Sequence, residues 1–275
     1  MPPTLDTLPP EILFNILSYT SPFDASHAPL HPLYTTAATC RHLCSIVEEY
    51  SRSLLKRHVN ITPPKAAKTN AFVCRKKWVR WVAGTCQLCG KKSRRTAILD
   101  PSLTCCQACD HSHFPKMTMT EAITTHYLSK LDLFTPNKLH PTLPPLLLGT
   151  YIFMGGDTLM LSEPSVLARK AHLHGLLGDK AADPAYLRRR VAAHDRLMKH
   201  MDIQHSVRLG RVRWVKRWNL PAVDRMDAEA LKKVPKSLRS AEARAEYVRK
   251  GLGKEWEAMG LGELGAPEEQ AIEIS

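Results

Sequence analysis

The sequence predicts a mainly α protein with a small α+β part. A helical N-terminal module comes first, then a cysteine-organised body, then C-terminal helices. Three observations predict this. Apolar residues recur at helical spacing in the N-terminal sixty residues and in the C-terminal half, two Cys-x2-Cys pairs are separated by sixteen residues, and one short β-like run, Thr158–Leu161, lies between helical segments. At 275 residues the chain has room for about two domains, and 44% hydrophobic content excludes disorder throughout. The longest apolar run, Leu143–Met154, is short for a membrane span and contains Pro144 and Pro145, so no membrane partner is expected. The opening Met-Pro-Pro-Thr lacks the basic and apolar regions of a secretory signal. An intracellular protein of the nucleus and/or cytoplasm is expected, with its eight cysteines as thiols or metal ligands and the sequon at Asn60 silent.

The N-terminal module begins at Leu8-Pro9-Pro10-Glu11, where first-turn prolines and a carboxylate suit a helix start. Ile12, Leu13, Ile16 and Leu17 give that helix a broad apolar face, and Pro22 ends it. A second helical stretch is predicted from about residue 33 to 57, with Ala37, Cys40, Cys44, Val47 and Leu54 near one face. Cys40, Cys44 and Cys74 are expected as small core residues. Sixty residues bury little surface alone, so such a unit often needs a partner.

Residues 8–17 together with Cys40-Arg41 and Cys44 resemble the F-box, and the chain is similar to an F-box protein of the fungal type. The resemblance implies an adapter that docks Skp1, and through it a cullin, by Leu8, Pro9, Ile12, Leu13, Ile16 and Leu17. It also implies a non-catalytic subunit that presents an unidentified protein substrate to a ubiquitin ligase.

Cys86-x2-Cys89 and Cys106-x2-Cys109 have the spacing of a zinc site in which two tight turns each offer two sulfurs. Gly90 suits the turn after the first pair. Four thiolates close a tetrahedral shell, so one structural Zn2+ is expected and the small α+β part is a zinc ribbon. Two alternatives stay open: Cys105 in place of Cys106, and His111 or His113 in competition with Cys109.

Thr118-Met119-Thr120-Glu121 has capping-box form, and the helix it opens turns Ala122, Ile123, Tyr127, Leu128 and Leu131 inward before Thr135-Pro136. Thr158–Leu161 reads as a strand, followed by a helix over about 164–174 that stops at Gly175. The ribbon, the run Thr120-Glu121-Ala122…Tyr127-Leu128…Asp132-Leu133, and Val166, Arg169, Lys170 and Gly175 resemble the DNA-binding core of the xeroderma pigmentosum group A repair-factor family over residues 86–190. That resemblance implies DNA as a candidate partner. The family's aromatic and basic residues between these parts are replaced here by Leu143–Leu148.

Thirty-nine Lys/Arg against 26 Asp/Glu give a net +13, which favours a polyanionic partner. Residues 1–60 are near neutral and 61–130 carry twelve bases against three acids. Lys91, Lys92, Arg94 and Arg95, with Lys76, Lys77 and Arg80, flank the knuckle and are the leading nucleic-acid candidates; the first four also resemble a nuclear import signal. Arg188 and Arg189 lie on a helix capped by Asp183-Pro184, whose buried stripe is predicted as Leu187, Val191, His194, Met198 and Met201. Basic residues continue to Arg217, with Trp214 and Trp218 one helical turn apart and expected in the core. His172 and His174 are expected to complement a helix C-terminus, and the chain from Glu255 reads as a frayed acidic tail. No phosphate-loop, dinucleotide or zinc-protease motif occurs, and a non-enzyme is expected. The predicted division is 1–60 F-box-like module, 61–82 basic connecting helix, 83–135 ribbon plus capped helix, 136–220 strand and helix extension, and 221–275 C-terminal helix and tail.

Overall fold

A computed structural model of the chain describes residues 5–24, 30–62, 72–153, 156–208, 211–217 and 228–262. Two compact units divide at Phe114/Pro115. The first holds α1 (Pro10–Ser18), α2 (Pro32–Ala37), α3 (Arg41–Val59), α4 (Cys74–Gly84) and α5 (Gln107–His113). Its core is Leu13 and Leu17 of α1, Leu33 of α2, Val47, Leu54 and Leu55 of α3, and Trp78 and Val82 of α4. Trp78 is wholly buried because its indole N–H reaches the Pro22 carbonyl at 2.8 Å, which removes the cost of burying a donor.

The stretch predicted as one helix over 33–57 is two helices. Cys40 is extended, and its Sγ accepts the Leu43 N–H at 3.4 Å as the cap of α3. Cys40 is therefore exposed and Cys44 half-buried; of the three expected core thiols only Cys74 is buried. Asn60 ends α3 in the left-handed region, where asparagine is tolerated better than most residues.

The second unit opens with β1 (Lys116–Thr118), α6 (Met119–Thr124) and α7 (Lys130–Leu133), followed by β2 (Leu148–Phe153), β3 (Gly156–Ser162), α8 (Glu163–Leu177) and α9 (Pro184–His200). It closes with β4 (Ile203–Arg208), β5 (Arg211–Lys216), α10 (Ala228–Lys233) and α11 (Ala241–Ala258). One sheet is antiparallel in the order β1-β3-β2, with Met117 opposite Leu161 and Leu148 opposite Leu161 on the other side. The expected strand at 158–161 is thus the centre of a three-stranded sheet. Its core joins Leu161, Val166, Leu173, Leu187 and Leu197 with Leu128, Leu131 and Leu133.

Several boundaries differ from the sequence expectation. Thr118 does cap α6 by accepting the Glu121 N–H, but the helix ends at Thr124, the chain turns through Tyr127, whose φ is +54°, and Ser129 caps a new helix, α7. The full capping box is Ser129 with Asp132. Helix α8 runs past Gly175 because Leu173 and Leu177 continue its buried stripe; it stops at Gly178, with φ +56°. Strands β4 and β5 pair antiparallel, with His205 opposite Trp214, so Trp214 sits on a strand rather than on a helical turn. Trp218 lies outside the described residues. Glu255 belongs to α11, which continues to Ala258, so the chain is ordered well past the point expected to fray. The block predicted over 83–135 is split, its knuckle in the first unit and its capped helix in the second.

Candidate functional site

Three features of the described residues bear on function, and each is built from local sequence. The first is the cysteine cluster. Cys86 and Cys89 flank a turn closed by the Gly90 N–H to the Cys86 carbonyl at 2.9 Å, with Gly90 at φ +72°. Cys106 stands at the N-cap position of α5 and Cys109 lies in its first turn. Bonds from Gln87 N–H to the Thr104 carbonyl and from Cys105 N–H to the Arg95 carbonyl bring the two halves together. The four sulfurs of Cys86, Cys89, Cys106 and Cys109 all lie within 4.8 Å of one another, and Cys89 and Cys106 are 3.6 Å apart. A tetrahedral ion with metal–sulfur bonds of about 2.3 Å would place its sulfurs about 3.8 Å apart, so the cluster fits a zinc site.

Local electrostatics agree. Burial works to raise the Cys86 thiol, but backbone N–H groups of Cys106, Cys89 and Leu88 outweigh it and bring the pKa down to about 6. The Cys106 thiol is lowered chiefly by the Cys109 N–H. Cys109 is raised, because its neighbours Cys106 and Cys89 compete for the same negative charge. Cys105 is pushed up to about 12, mainly by burial, and donates its own proton to the Cys106 carbonyl at 3.4 Å. It is a core thiol with Ala97. The choice between Cys105 and Cys106 thereby falls on Cys106, and exposed His111 and His113 stand outside the cluster. Three buried residues make a very small core, so this segment lacks the apolar burial to hold itself without a further link.

The second feature is α1. Leu13 and Leu17 are buried, whereas Ile12 and Ile16 are 47% and 38% exposed. They are one turn apart and form an apolar stripe flanked by exposed Leu5 and Tyr19. Leu8 packs partly against the core and Pro9 is exposed. The four residues singled out on this helix therefore separate into a core pair, Leu13 and Leu17, and an outward pair, Ile12 and Ile16. Periodicity alone gave a single broad face.

The third is the basic surface. Lys91, Lys92, Arg94 and Arg95 are all exposed around the knuckle, as are Lys76, Lys77 and Arg80 on α4. Arg188 lies over the Tyr127 ring at 5.6 Å, and Arg189 pairs with Asp183 at 3.5 Å, so these two guanidinium groups of α9 already have local partners. They belong to the second unit.

That unit also contains a buried ionic network. Arg190, not Val191, is a buried member of the α9 stripe. It grips the Asp132 carboxylate with two bonds, at 2.8 and 2.9 Å, and reaches Glu255 of α11 at 2.8 Å. His140 contacts Asp132 at 3.0 Å and Arg169 donates to its carbonyl at 2.7 Å. Arg190 outweighs burial and holds the Asp132 carboxyl well below the usual carboxylate range. Ser129, His194 and Glu255 have the connectivity of a nucleophile, base and acid, with Ser129 Oγ 2.6 Å from His194 Nδ1 and His194 Nε2 3.1 Å from Glu255, off hydrogen-bond alignment. Ser129 is 1% exposed and its hydroxyl is spent on the cap of α7, so the trio locks helices together and offers substrate no approach. His174, expected to offset a helix terminus, is lowered by burial and so favours its neutral form.

An F-box-like family model matches residues 5–60, the segment that contains α1, α2 and α3. No curated protein and no solved structure matches the chain. No helix of the described residues is long and apolar enough to cross a membrane.

Proposed function

We propose that this protein is a non-catalytic substrate-recognition adapter that docks Skp1 and, through it, the cullin of a ubiquitin ligase. The observation that carries the reading is the exposed Ile12–Ile16 stripe inside the segment that matches the F-box-like family. An apolar stripe of this kind beside Leu5 and Tyr19 gains most when a partner covers it. Cys86, Cys89, Cys106 and Cys109 would hold one structural Zn2+, which supplies the cross-link that the small core lacks. The second unit would then present the substrate.

Co-purification with Skp1 tests the adapter reading. Wild type should capture Skp1, and Ile12→Asp with Ile16→Asp should lose capture while melting at the wild-type temperature. Failure of folded wild type to bind Skp1 removes the reading.

A second reading, a zinc-dependent nucleic-acid-binding protein without ligase association, is favoured by one observation. Residues 50–99 contain thirteen Lys/Arg and no acid. The likeness of 86–190 to the repair-factor core supports it less, because Leu143, Leu146 and Leu148 pack against the core of the second unit, where that family has aromatic and basic residues.

A further inference from the structure

We propose that the cleft between α4 and the cysteine knuckle binds single-stranded nucleic acid, with phosphates held by Lys77, Arg80, Lys92 and Arg94 and a base stacked on Trp81. The proposal rests on the nucleic-acid reading above, but not on the absence of a ligase. The cleft has a volume of about 650 Å3, and its walls are these five residues with Ile61, Gly84, Thr85 and Ser93. Backbone contacts bring its two sides together. Thr85, just beyond α4, pairs with Lys92, and the Ser93 N–H donates to the Gly84 carbonyl at 3.1 Å.

Among the described residues, four cations line the cleft and no acid does. All four are exposed, and among the described residues none forms an ion pair. By contrast Arg75, on the same helix, is neutralised by Glu48. Four unpaired like charges around one hollow repel each other and are relieved by an anion with several charges.

Trp81 decides which polyanion fits. It is half-buried and lies against the wholly buried Trp78 with ring centroids 5.2 Å apart and planes 26° from parallel. Trp78 is fixed by its bond to Pro22, so Trp81 is a backed, rigid ring at the wall of a cationic hollow. Aromatic rings with flanking cations suit unpaired bases on a phosphate chain, because every base offers a π-face. A phosphorylated peptide would use the cations and leave the ring without a role.

The test is fluorescence anisotropy of the full zinc-loaded chain with labelled oligothymidylate and oligouridylate of about 15 nucleotides, over about 50–200 mM salt. Affinity should fall steeply with salt. Arg80→Gln with Arg94→Gln should weaken binding on the order of tenfold and reduce the salt slope by about 1.4, the share of two phosphate contacts on a single strand. Trp81→Leu should weaken it about five- to a hundredfold without changing the slope, and Trp81→Phe should retain most affinity. Equal metal content and melting temperature establish that the variants fold. Steep binding left intact by the Arg80/Arg94 pair overturns the site and spares the nucleic-acid reading. No binding at low salt overturns both. Tighter binding of a phosphoserine peptide, or indifference to Trp81→Leu, overturns the choice of ligand. The two oligomers distinguish DNA from RNA as the source.

Discussion

At the scale of single residues, neighbours of one type separate into different roles. Leu13 and Ile12 are adjacent aliphatics, yet one is buried and the other half-exposed. Leu13→Ala should destabilise the first unit by about 2–5 kcal/mol, and Ile12→Ala by well under 1 kcal/mol; urea melts of the two variants check the contrast. Adjacent Cys105 and Cys106 differ in the same way. Metal analysis should find one zinc per chain in wild type and in Cys105→Ala, and loss of it in Cys106→Ser. Zinc in Cys106→Ser and none in Cys105→Ala would reverse the ligand assignment. Sequence spacing picked out the four cysteines whose sulfurs cluster, because two Cys-x2-Cys pairs leave few alternatives. It left Cys105 open because the burial that keeps that thiol protonated is set by packing against residues such as Ala97 and Cys86, which lie apart from it along the chain.

At the scale of elements, the second unit depends on how closely α9 and α11 approach. A Cβ at Gly251 would collide with the Leu197 side chain, which is 2% exposed and has little room to move. Gly251→Val should therefore cost about 1–3 kcal/mol, although helix propensity alone favours it; a gain in melting temperature would show that α9 and α11 separate easily. The same pair is tied by Arg190 between Asp132 and Glu255. Asp132→Asn leaves a buried guanidinium half-neutralised and should cost about 3–5 kcal/mol. Both carboxyls are lowered by Arg190 and the histidines around it. A lowered carboxyl stabilises the fold above its unfolded value near 4 and loses that contribution as pH falls through the folded value. The second unit should accordingly keep its stability from neutral pH to about pH 4 and lose it below, more steeply in wild type than in Asp132→Asn. Circular dichroism melts across pH would detect an unchanged profile, which contradicts the network's role.

At the scale of the molecule, the two units have separate cores and the cysteine cluster lies in the first. Chelation should release the knuckle and abolish any nucleic-acid contact at its cleft, yet leave Skp1 capture and the melting of the second unit in place. Loss of Skp1 capture on chelation would instead join the knuckle to the helical module. Much of this was legible beforehand: α1, the cysteine quartet, the central strand and the start of α9 all follow from caps, prolines and short-range spacing, which act within a few residues. The break before Ser129, the burial of Arg190 and the place of Glu255 in α11 did not, since each is decided by a partner that lies far away in sequence. Sequence by itself determined that this is a mainly helical, basic protein with an F-box-like start and four convergent thiols. Only tertiary structure decided which apolar residues face outward, which cysteine keeps its proton, and that Trp81 stands among unpaired cations, because burial and electrostatic surroundings are properties of the packed chain.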